Sequence, residues 1–139
     1  MFKKILVAVD GSEIAAKALE TAEALAAGMK GELLILTVED SGTHHAQHKR
    51  IGLTAQLEDE DEGELLYGIK MKMLDSPVPS KVRREIGKPS EVILEVAKET
   101  GCDAIVMGSR GLGGLTKLFI GSVSSEVLNN AEIPVVVVK

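Results

Sequence analysis

Three glycines and a serine at fixed spacing form the part of the chain best suited to hold an anion. Two residues separate Gly108 from Gly111, nine more follow, and Gly121 then directly precedes Ser122. Glycine lets a backbone adopt positive φ or approach a ligand closely. If a helix begins at Ser122 and runs to about Asn130, the unpaired N–H groups of its first turn and its dipole favour phosphate. The spacing therefore predicts a phosphate-binding segment.

The charges of this segment favour the same chemistry. Arg110 and Lys117 are its charged residues, in a chain whose formal net charge is −5 at pH 7. The alternative is a long, tight surface turn, for which glycine is equally suited. Two other phosphate motifs do not match: a dinucleotide fingerprint needs glycine or alanine where Thr116 stands, and no Lys-Ser or Lys-Thr pair follows the last glycine.

The segment also lacks the groups that a fast hydrolase needs. Residues 109–120 contain no Asp, Glu or His that could orient an attacking water or take up a proton. We therefore expect no catalytic residue here, and at most slow hydrolysis of a bound nucleotide.

Two other clusters contain side chains that bind metals in some proteins. His44, His45 and His48 lie in a polar segment without cysteine, for which the alternative is a mobile polar loop. Glu58 to Glu64 holds six carboxylates. It lacks the spacing of a calcium loop, and a solvated helix start is the simpler interpretation. We expect no metal ligands from the protein.

Composition favours one domain over residues 1–139, with an aliphatic core. The chain is 45% hydrophobic but has one Tyr, two Phe and no Trp, which makes stacking on nucleic-acid bases improbable. The acidic balance also argues against a nucleic-acid backbone as partner, because such binding depends on clustered Lys and Arg.

The chain start and the cysteine content favour a cytoplasmic protein without a membrane partner. The apolar run Ile5 to Val9 ends at Asp10 and is too short for a signal-peptide core or a membrane span. Cys102 is the only cysteine, which excludes an intrachain disulfide and agrees with a reducing compartment. We interpret it as a semi-buried small residue.

Strands and helices alternate along the chain. Buried or partly buried apolar runs predict strands, and spacings of three and four residues predict helices. Ser12 is suited to cap the first helix, which Gly28 or Gly31 ends, while Pro89 begins the third helix and Gly101 closes it. The predicted strands are Lys3 to Val9, Glu32 to Val38, Val78 to Ile86, Asp103 to Met107 and Ile133 to Val138, and a second helix fills part of 50–75.

This alternation predicts right-handed βαβ units and a five-stranded parallel sheet with helices on both faces. The fold class is α/β, a small doubly wound domain. Pro79 places the third strand near a sheet edge. Local pattern alone does not give the strand order.

Several segments together resemble the nucleotide-binding branch of the universal stress protein family. The glycine spacing matches its GxxG-x9-G(S/T) signature, and KKILVAVDGSEIAAKAL at residues 3–19 is similar to its opening strand, aspartate turn and first helix. DAIVMGSRG and IPVVVV resemble its last two strands. Residues 41–75, roughly, match poorly.

The resemblance implies the strand order 3-2-1-4-5, a nucleotide-binding α/β type. Strands 1 and 4 are then neighbours whose connections leave toward opposite faces, and ligands bind at the carboxyl ends of such a pair. Asp10 would accept hydrogen bonds from ribose hydroxyls, although an Asp-Gly turn or helix cap is the alternative. The main chain of Val38 would meet the adenine edge.

The remaining binding residues follow from the same resemblance. Ala8 and Met107 would line the adenine slot beside the strand end at Val9. Backbone N–H groups and hydroxyls would surround the phosphates of ATP, or of ADP or AMP, with Mg²⁺ held by the phosphates. The predicted phosphate residues are Gly108, Arg110, Gly111, Gly121, Ser122, Val123 and Ser124; for Arg110, a solvated loop position is the alternative.

The resemblance also implies a role and an assembly. The last strand, Ile133 to Val138, would pair antiparallel with its copy in a two-fold homodimer. The protein would be a nucleotide-dependent switch in a stress response, whose 109–120 segment changes with the bound nucleotide and is read by an unidentified protein partner. One alternative is a nucleotide-free interaction module of the same fold. Another is a true nucleotide hydrolase or adenylyl-transfer enzyme, for which no SGGxDS or HIGH-type motif is present.

Overall fold

A computed structural model describes residues 1–40, 52–110 and 121–139, with the backbone alone for residues 52–62. Strands and helices alternate along these residues. The strands are β1 (Lys4–Ala8), β2 (Glu32–Asp40), β3 (Ser80–Gly87), β4 (Ala104–Gly108) and β5 (Val135–Val138). The helices are α1 (Glu13–Met29), α2 (Gly52–Leu74), α3 (Pro89–Thr100) and α4 (Ser122–Asn130). Each element predicted from the sequence pattern is present.

The strands form one parallel sheet in the order β3-β2-β1-β4-β5, which confirms the predicted order. β1 is central, since Val7 pairs with Ile35 of β2 on one side and with Val106 of β4 on the other. The chain proceeds outward from β1 to β3, returns to β4 and then continues to β5. The direction of winding therefore reverses between β1 and β4.

Two apolar layers fill the space between the sheet and its helices. Ile5, Val7 and Ile35 belong to the layer that packs against α1 and α2. Leu6 and Leu36 belong to the opposite layer, against α3 and α4. Because successive side chains of a strand point to opposite faces, central strands covered on both faces are apolar at consecutive positions, as residues 5–7 and 33–36 are. That continuous pattern is what made β1 and β2 recognisable in the sequence.

The two outer strands carry prolines at their starts. Pro79 precedes β3, and its carbonyl accepts the N–H of Leu33 at 2.9 Å. β5 begins at Val135, two residues later than predicted. Pro134 has no N–H to donate to a ladder, although its carbonyl accepts the N–H of Ile105 at 3.0 Å. β3 lies at one sheet edge, as Pro79 predicted, and β5 at the other.

The end of α1 differs from the sequence prediction. Neither Gly28 nor Gly31 occupies the left-handed position that ends the helix; Lys30 does, with φ 55° and ψ 42°. Gly31 is needed for another reason. A Cβ atom there would lie 2.6 Å from the Phe2 carbonyl oxygen and 2.8 Å from that of Lys3. The glycine therefore allows the start of β2 to lie against the chain entering β1.

These two positions give opposite expectations for stability. Lys30→Gly should raise the free energy of unfolding by about 1 kcal/mol, because glycine removes the cost of left-handed backbone at that position. Gly31→Ala should lower it by about 2 kcal/mol, because its methyl group overlaps backbone atoms that cannot rotate away. Urea unfolding of both variants checks this. A loss of stability in Lys30→Gly would contradict the argument.

Candidate functional site

The carboxyl ends of β1 and β4 lie side by side where the winding of the sheet reverses. Val7 pairs with Val106, so the residues that follow these strands leave the same edge of the sheet. From there the chain enters α1 on one face and α4 on the other. A crevice outside the strand ends at such a switch point is where open α/β sheets bind ligands. Asp10 and Gly108 are therefore brought to one edge, as predicted.

Asp10 lies in a turn that also caps α1. Its Oδ1 accepts the N–H of Ser12 at 3.0 Å, and the Ser12 Oγ accepts the N–H of Ala15 at 3.1 Å. Gly11 between them has φ 87°, a conformation that favours glycine. Asp10 therefore does form the turn that the sequence offered as the alternative to ribose binding. This turn also fixes the partly buried carboxylate at this edge of the sheet.

The start of α4 is attached to the ends of β4 and β5 by hydrogen bonds. The Gly121 N–H donates to the Ser109 carbonyl at 2.6 Å, and the Ser109 N–H donates to the Val138 carbonyl at 2.8 Å. The Ser124 hydroxyl, which is buried, donates to the Gly108 carbonyl at 2.7 Å. These bonds hold the first turn of α4 against the strand ends.

That first turn is suited to receive an anion. The first N–H groups of a helix have no intrahelical acceptor, and Gly121, which precedes Ser122, provides no side-chain cap. Ser122 is exposed and Val123 packs partly against the α3 and α4 layer. The backbone donors of residues 122–124 thus begin at the crevice, where the helix dipole also favours negative charge.

Close packing favours glycine at two positions of the predicted signature. A Cβ at Gly108 would lie 2.8 Å from Cγ2 of Ile14 on α1. A Cβ at Gly121 would lie 3.2 Å from the Ser109 carbonyl oxygen. The glycines allow α1 and α4 to approach the end of β4 closely. This role exists with or without a bound ligand.

The predicted adenine residues fall on one face of the sheet, with one exception. Ala8, Val38 and Met107 all belong to the layer under α3 and α4, at the carboxyl ends of their strands. Val9 belongs to the other layer, and its N–H donates to the Leu36 carbonyl at 2.9 Å. Its side chain therefore faces away from the slot that the other three border.

Part of the predicted phosphate segment and two other clusters extend beyond the described residues. Arg110 is half-buried at the end of the described stretch 52–110, whereas Gly111 lies outside the described residues. His44, His45 and His48 also lie outside them. Of the acidic segment 58–64, the structure describes the Glu64 side chain, which is exposed.

A contact between α3 and α4 was not visible in the sequence. The buried Ser90 hydroxyl donates to Glu126 Oε2, and Lys88 Nζ lies 3.3 Å from the same oxygen. The Ser90 hydrogen bond, followed by the Lys88 contact, holds the pKa of Glu126 below its usual value. Because Ser90 and Glu126 are 36 positions apart in the sequence, no local spacing predicts their contact. It fixes the body of α4 beside the start of α3.

The remaining groups among the described residues do not extend this site. Within residues 1–40, 52–110 and 121–139, no three His, Cys, Asp or Glu side chains are grouped to hold a metal ion, and no helix is long and apolar enough to span a membrane. Cys102 is buried beside Thr100, and burial raises the pKa of its thiol. A cavity of about 400 Å³ lies at the amino ends of β1 to β3, away from Asp10 and α4.

The fold and this edge define a class of protein, a doubly wound α/β domain with its candidate site at the β1 and β4 switch point. Hypothetical protein MJ0577, a solved structure 31% identical to this chain, superimposes with a TM-score of 0.86 over 100% of this chain and 96% of its own. Two solved proteins at 22% identity share the fold. One is a universal stress protein in complex with cAMP, at a TM-score of 0.76. The other, from Archaeoglobus fulgidus, is in complex with dAMP, at 0.69. The cAMP complex covers 99% of this chain and the dAMP complex covers 98%. This chain covers 97% of each of the two proteins.

Sequence comparison gives the family. The universal stress protein family model matches residues 1–139. Universal stress protein YxiE of Bacillus subtilis (strain 168) is 36% identical over an alignment of 148 positions, gaps included, which spans 100% of both chains. The chain belongs to the universal stress protein family, as its glycine spacing and opening segment predicted.

Proposed function

We propose that this protein binds ATP at the carboxyl ends of β1 and β4 and acts as a nucleotide-dependent regulator in a stress response. The observation that carries the proposal is the placement of Asp10 and the start of α4 at one edge of the sheet, where its winding reverses. The turn at Ser12 fixes the carboxylate, and the Ser109 and Gly108 carbonyls fix the helix start. One edge thus offers an acceptor for ribose and donors for phosphate.

Each part of the nucleotide has residues suited to it. The ribose hydroxyls would donate to the Asp10 carboxylate. Adenine would lie against Ala8 and Met107, with the Val38 main chain at its edge. The phosphates would accept N–H groups of residues 122–124, with Arg110 at the mouth and Gly111 beside them. The cAMP and dAMP found in two structural relatives support an adenine nucleotide. The choice of ATP rests on the glycine signature.

The residues at this edge fit a Mg²⁺ ion that arrives on the nucleotide. Backbone N–H groups and hydroxyls bind the anion, whereas Mg²⁺ prefers phosphate oxygens and water. The ion would neutralise phosphate charge, and the protein would hold the phosphates at α4. Because residues 109–120 contain no Asp, Glu or His, we propose binding with at most slow hydrolysis.

Regulation requires that the ATP-bound and free proteins differ in affinity for a partner. The segment predicted to change, residues 109–120, lies mostly outside the described residues.

We further propose a cytoplasmic setting, supported by the single buried cysteine. We propose a two-fold homodimer in which β5 pairs with its copy. Val135 to Val138 are partly exposed at the sheet edge, where an unpaired strand offers its backbone groups to another strand.

The proposal is tested first on the purified protein itself. Denaturation followed by chromatography identifies any nucleotide that co-purified, and calorimetry then measures binding of ATP, AMP and adenosine to protein freed of it. ATP should bind more tightly than adenosine, because α4 receives the phosphates. If neither ATP nor AMP binds, Gly108 and Gly121 serve only the close packing of α1 and α4 against the end of β4. The nucleotide-free interaction module is then the better interpretation.

Asp10→Asn separates ribose binding from the turn. Asparagine retains the oxygen that accepts the Ser12 N–H, but it removes the carboxylate charge. If the carboxylate accepts ribose hydroxyls, adenosine affinity should fall by about tenfold, since a hydrogen bond to a charged group contributes about 1.5–3 kcal/mol. Calorimetry with adenosine measures the effect, and thermal unfolding serves as the control for the turn. If Asp10 only forms the turn, adenosine affinity stays unchanged and ATP affinity rises, because a negative charge near the phosphates is gone.

A further inference from the structure

Helix α2 carries apolar side chains on two opposite faces. Ile69 and Met73 are buried against the sheet, as an amphipathic helix requires. Tyr67, Met71 and Leu74 are 66%, 46% and 73% exposed. At about 100° per residue these three positions fall within about 60° of one another, on the side opposite Ile69 and Met73. They therefore form one exposed apolar stripe, which in soluble proteins commonly marks an interaction surface.

Opposite charges lie on the two sides of Tyr67 along this stripe. Glu64 precedes Tyr67 by three residues and Lys70 follows it by three, and both side chains are exposed. Among ion pairs between described residues, none involves Glu64 or Lys70. Gly63 leaves open space, since a Cβ built there would meet nothing within 4 Å. We call Gly63, Glu64, Tyr67, Lys70, Met71 and Leu74 the outer face of α2.

We propose that the outer face of α2 binds the same face of a second copy of this chain, with the two helices antiparallel. A two-fold axis at Tyr67 brings together residues equally far before and after it. Glu64 of each copy is then level with Lys70 of the other, across the central tyrosines, and Met71 is level with the open space at Gly63. The two tyrosines meet at the axis. Acid is thus level with base, and a large side chain with a small one.

This self-complementarity is why we assign the face to a second copy and not to an unrelated protein. A two-fold contact uses the same patch on both partners, so the patch must match its own reverse. Residues 63–71 of the outer face do so in charge and in size when the order is reversed about Tyr67, and Leu74 lies beyond this matched part. α2 contacts β3, whereas β5 forms the other edge of the sheet. The α2 contact therefore does not compete with pairing through β5, and its test does not depend on nucleotide binding.

Charge exchange tests the pairing in the intact chain. Sedimentation equilibrium over a range of concentrations should show one association step that Glu64→Lys weakens by about tenfold, and Lys70→Glu equally, because each change turns two attractive contacts of the dimer into repulsive ones. Combining both substitutions should restore the wild-type association. Within one helix the two residues are six positions apart and do not face each other, so rescue requires contact between copies. Equal masses for wild type and all three variants would overturn the proposal.

A cysteine placed on the two-fold axis provides an independent measurement. Facing Cα atoms of two helices 8–10 Å apart lie about 5 Å from each other, within reach of a disulfide. Tyr67→Cys should therefore form disulfide dimers under mild oxidation, whereas native Cys102 is buried. Leu74→Cys is the matched control. It lies about 10 Å from the axis along the helix, so its copies are about 20 Å apart. Equal cross-linking of the two variants, or none at position 67, would contradict the antiparallel contact.

Discussion

ATP affinity is expected to fall by about a hundredfold when Gly121 is replaced by Val. A Cβ at this position would lie 3.2 Å from the Ser109 carbonyl oxygen and 3.6 Å from Cα of Arg110, before the two further methyl groups of valine are added. The start of α4 must then move away from the end of β4. Its first N–H groups lose their alignment on the phosphates, and two charge-assisted hydrogen bonds contribute about 3 kcal/mol together. Calorimetry with ATP measures the loss.

Comparison with adenosine separates this effect from general damage. Adenosine has no phosphate, so Gly121→Val should change its affinity by less than about threefold if the sheet edge and Asp10 remain in place. Gly28→Ala is the matched control, since a Cβ there meets nothing within 4 Å and ATP binding should be unchanged. Equal losses for ATP and adenosine would indicate a disordered site. Unchanged ATP affinity would remove α4 from the proposed phosphate site.

The sequence was most informative where a single residue type determines the backbone. Ser12 caps α1, Pro89 begins α3 and Gly101 ends it with φ 72°, as their positions predicted. The prediction at the end of α1 was wrong, because Lys30 adopts the left-handed conformation that glycine adopts more easily. Gly31 is constrained by the neighbouring chain at Phe2 and Lys3, a contact that no local pattern contains.

The placement of Asp10 and the start of α4 at one sheet edge was predictable, whereas the contacts that hold each of them were not. Strand order follows from the family resemblance and brings the ends of β1 and β4 together. Ser109 was not among the predicted site residues, although its carbonyl and N–H connect α4 to β4 and β5. These connections use backbone atoms, which every residue has, so the sequence carries no signal for them. The sheet face of the Val9 side chain could have been predicted. Val9 directly follows Ala8, and successive side chains of a strand point to opposite faces.

Replacing Glu39 by Met is expected to lower the free energy of unfolding by about 3 kcal/mol. Glu39 Oε2 accepts a hydrogen bond from Arg84 Nη2 at 2.8 Å, and the two side chains are 5% and 24% exposed. Removing the carboxylate deprives a mostly buried guanidinium of this partner, which costs about 3–5 kcal/mol in buried pairs. The partial exposure of Arg84 favours the lower end of that range. Urea unfolding measures the change.

A partly exposed ion pair on the opposite face of β3 provides the control. Arg83 and Glu85 are 2.7 Å apart but 32% and 35% exposed, so Glu85→Met should cost less than about 1 kcal/mol. Adding Arg84→Met to Glu39→Met should recover much of the loss, because an apolar pair of similar volume can replace a buried ion pair. If both Glu39→Met and Glu85→Met cost less than about 1 kcal/mol, solvent screens both pairs and the argument for the buried pair is wrong. If the buried pair does hold the end of β2, Glu39→Met should also weaken adenosine binding, because Val38 directly precedes Glu39 at the proposed adenine edge.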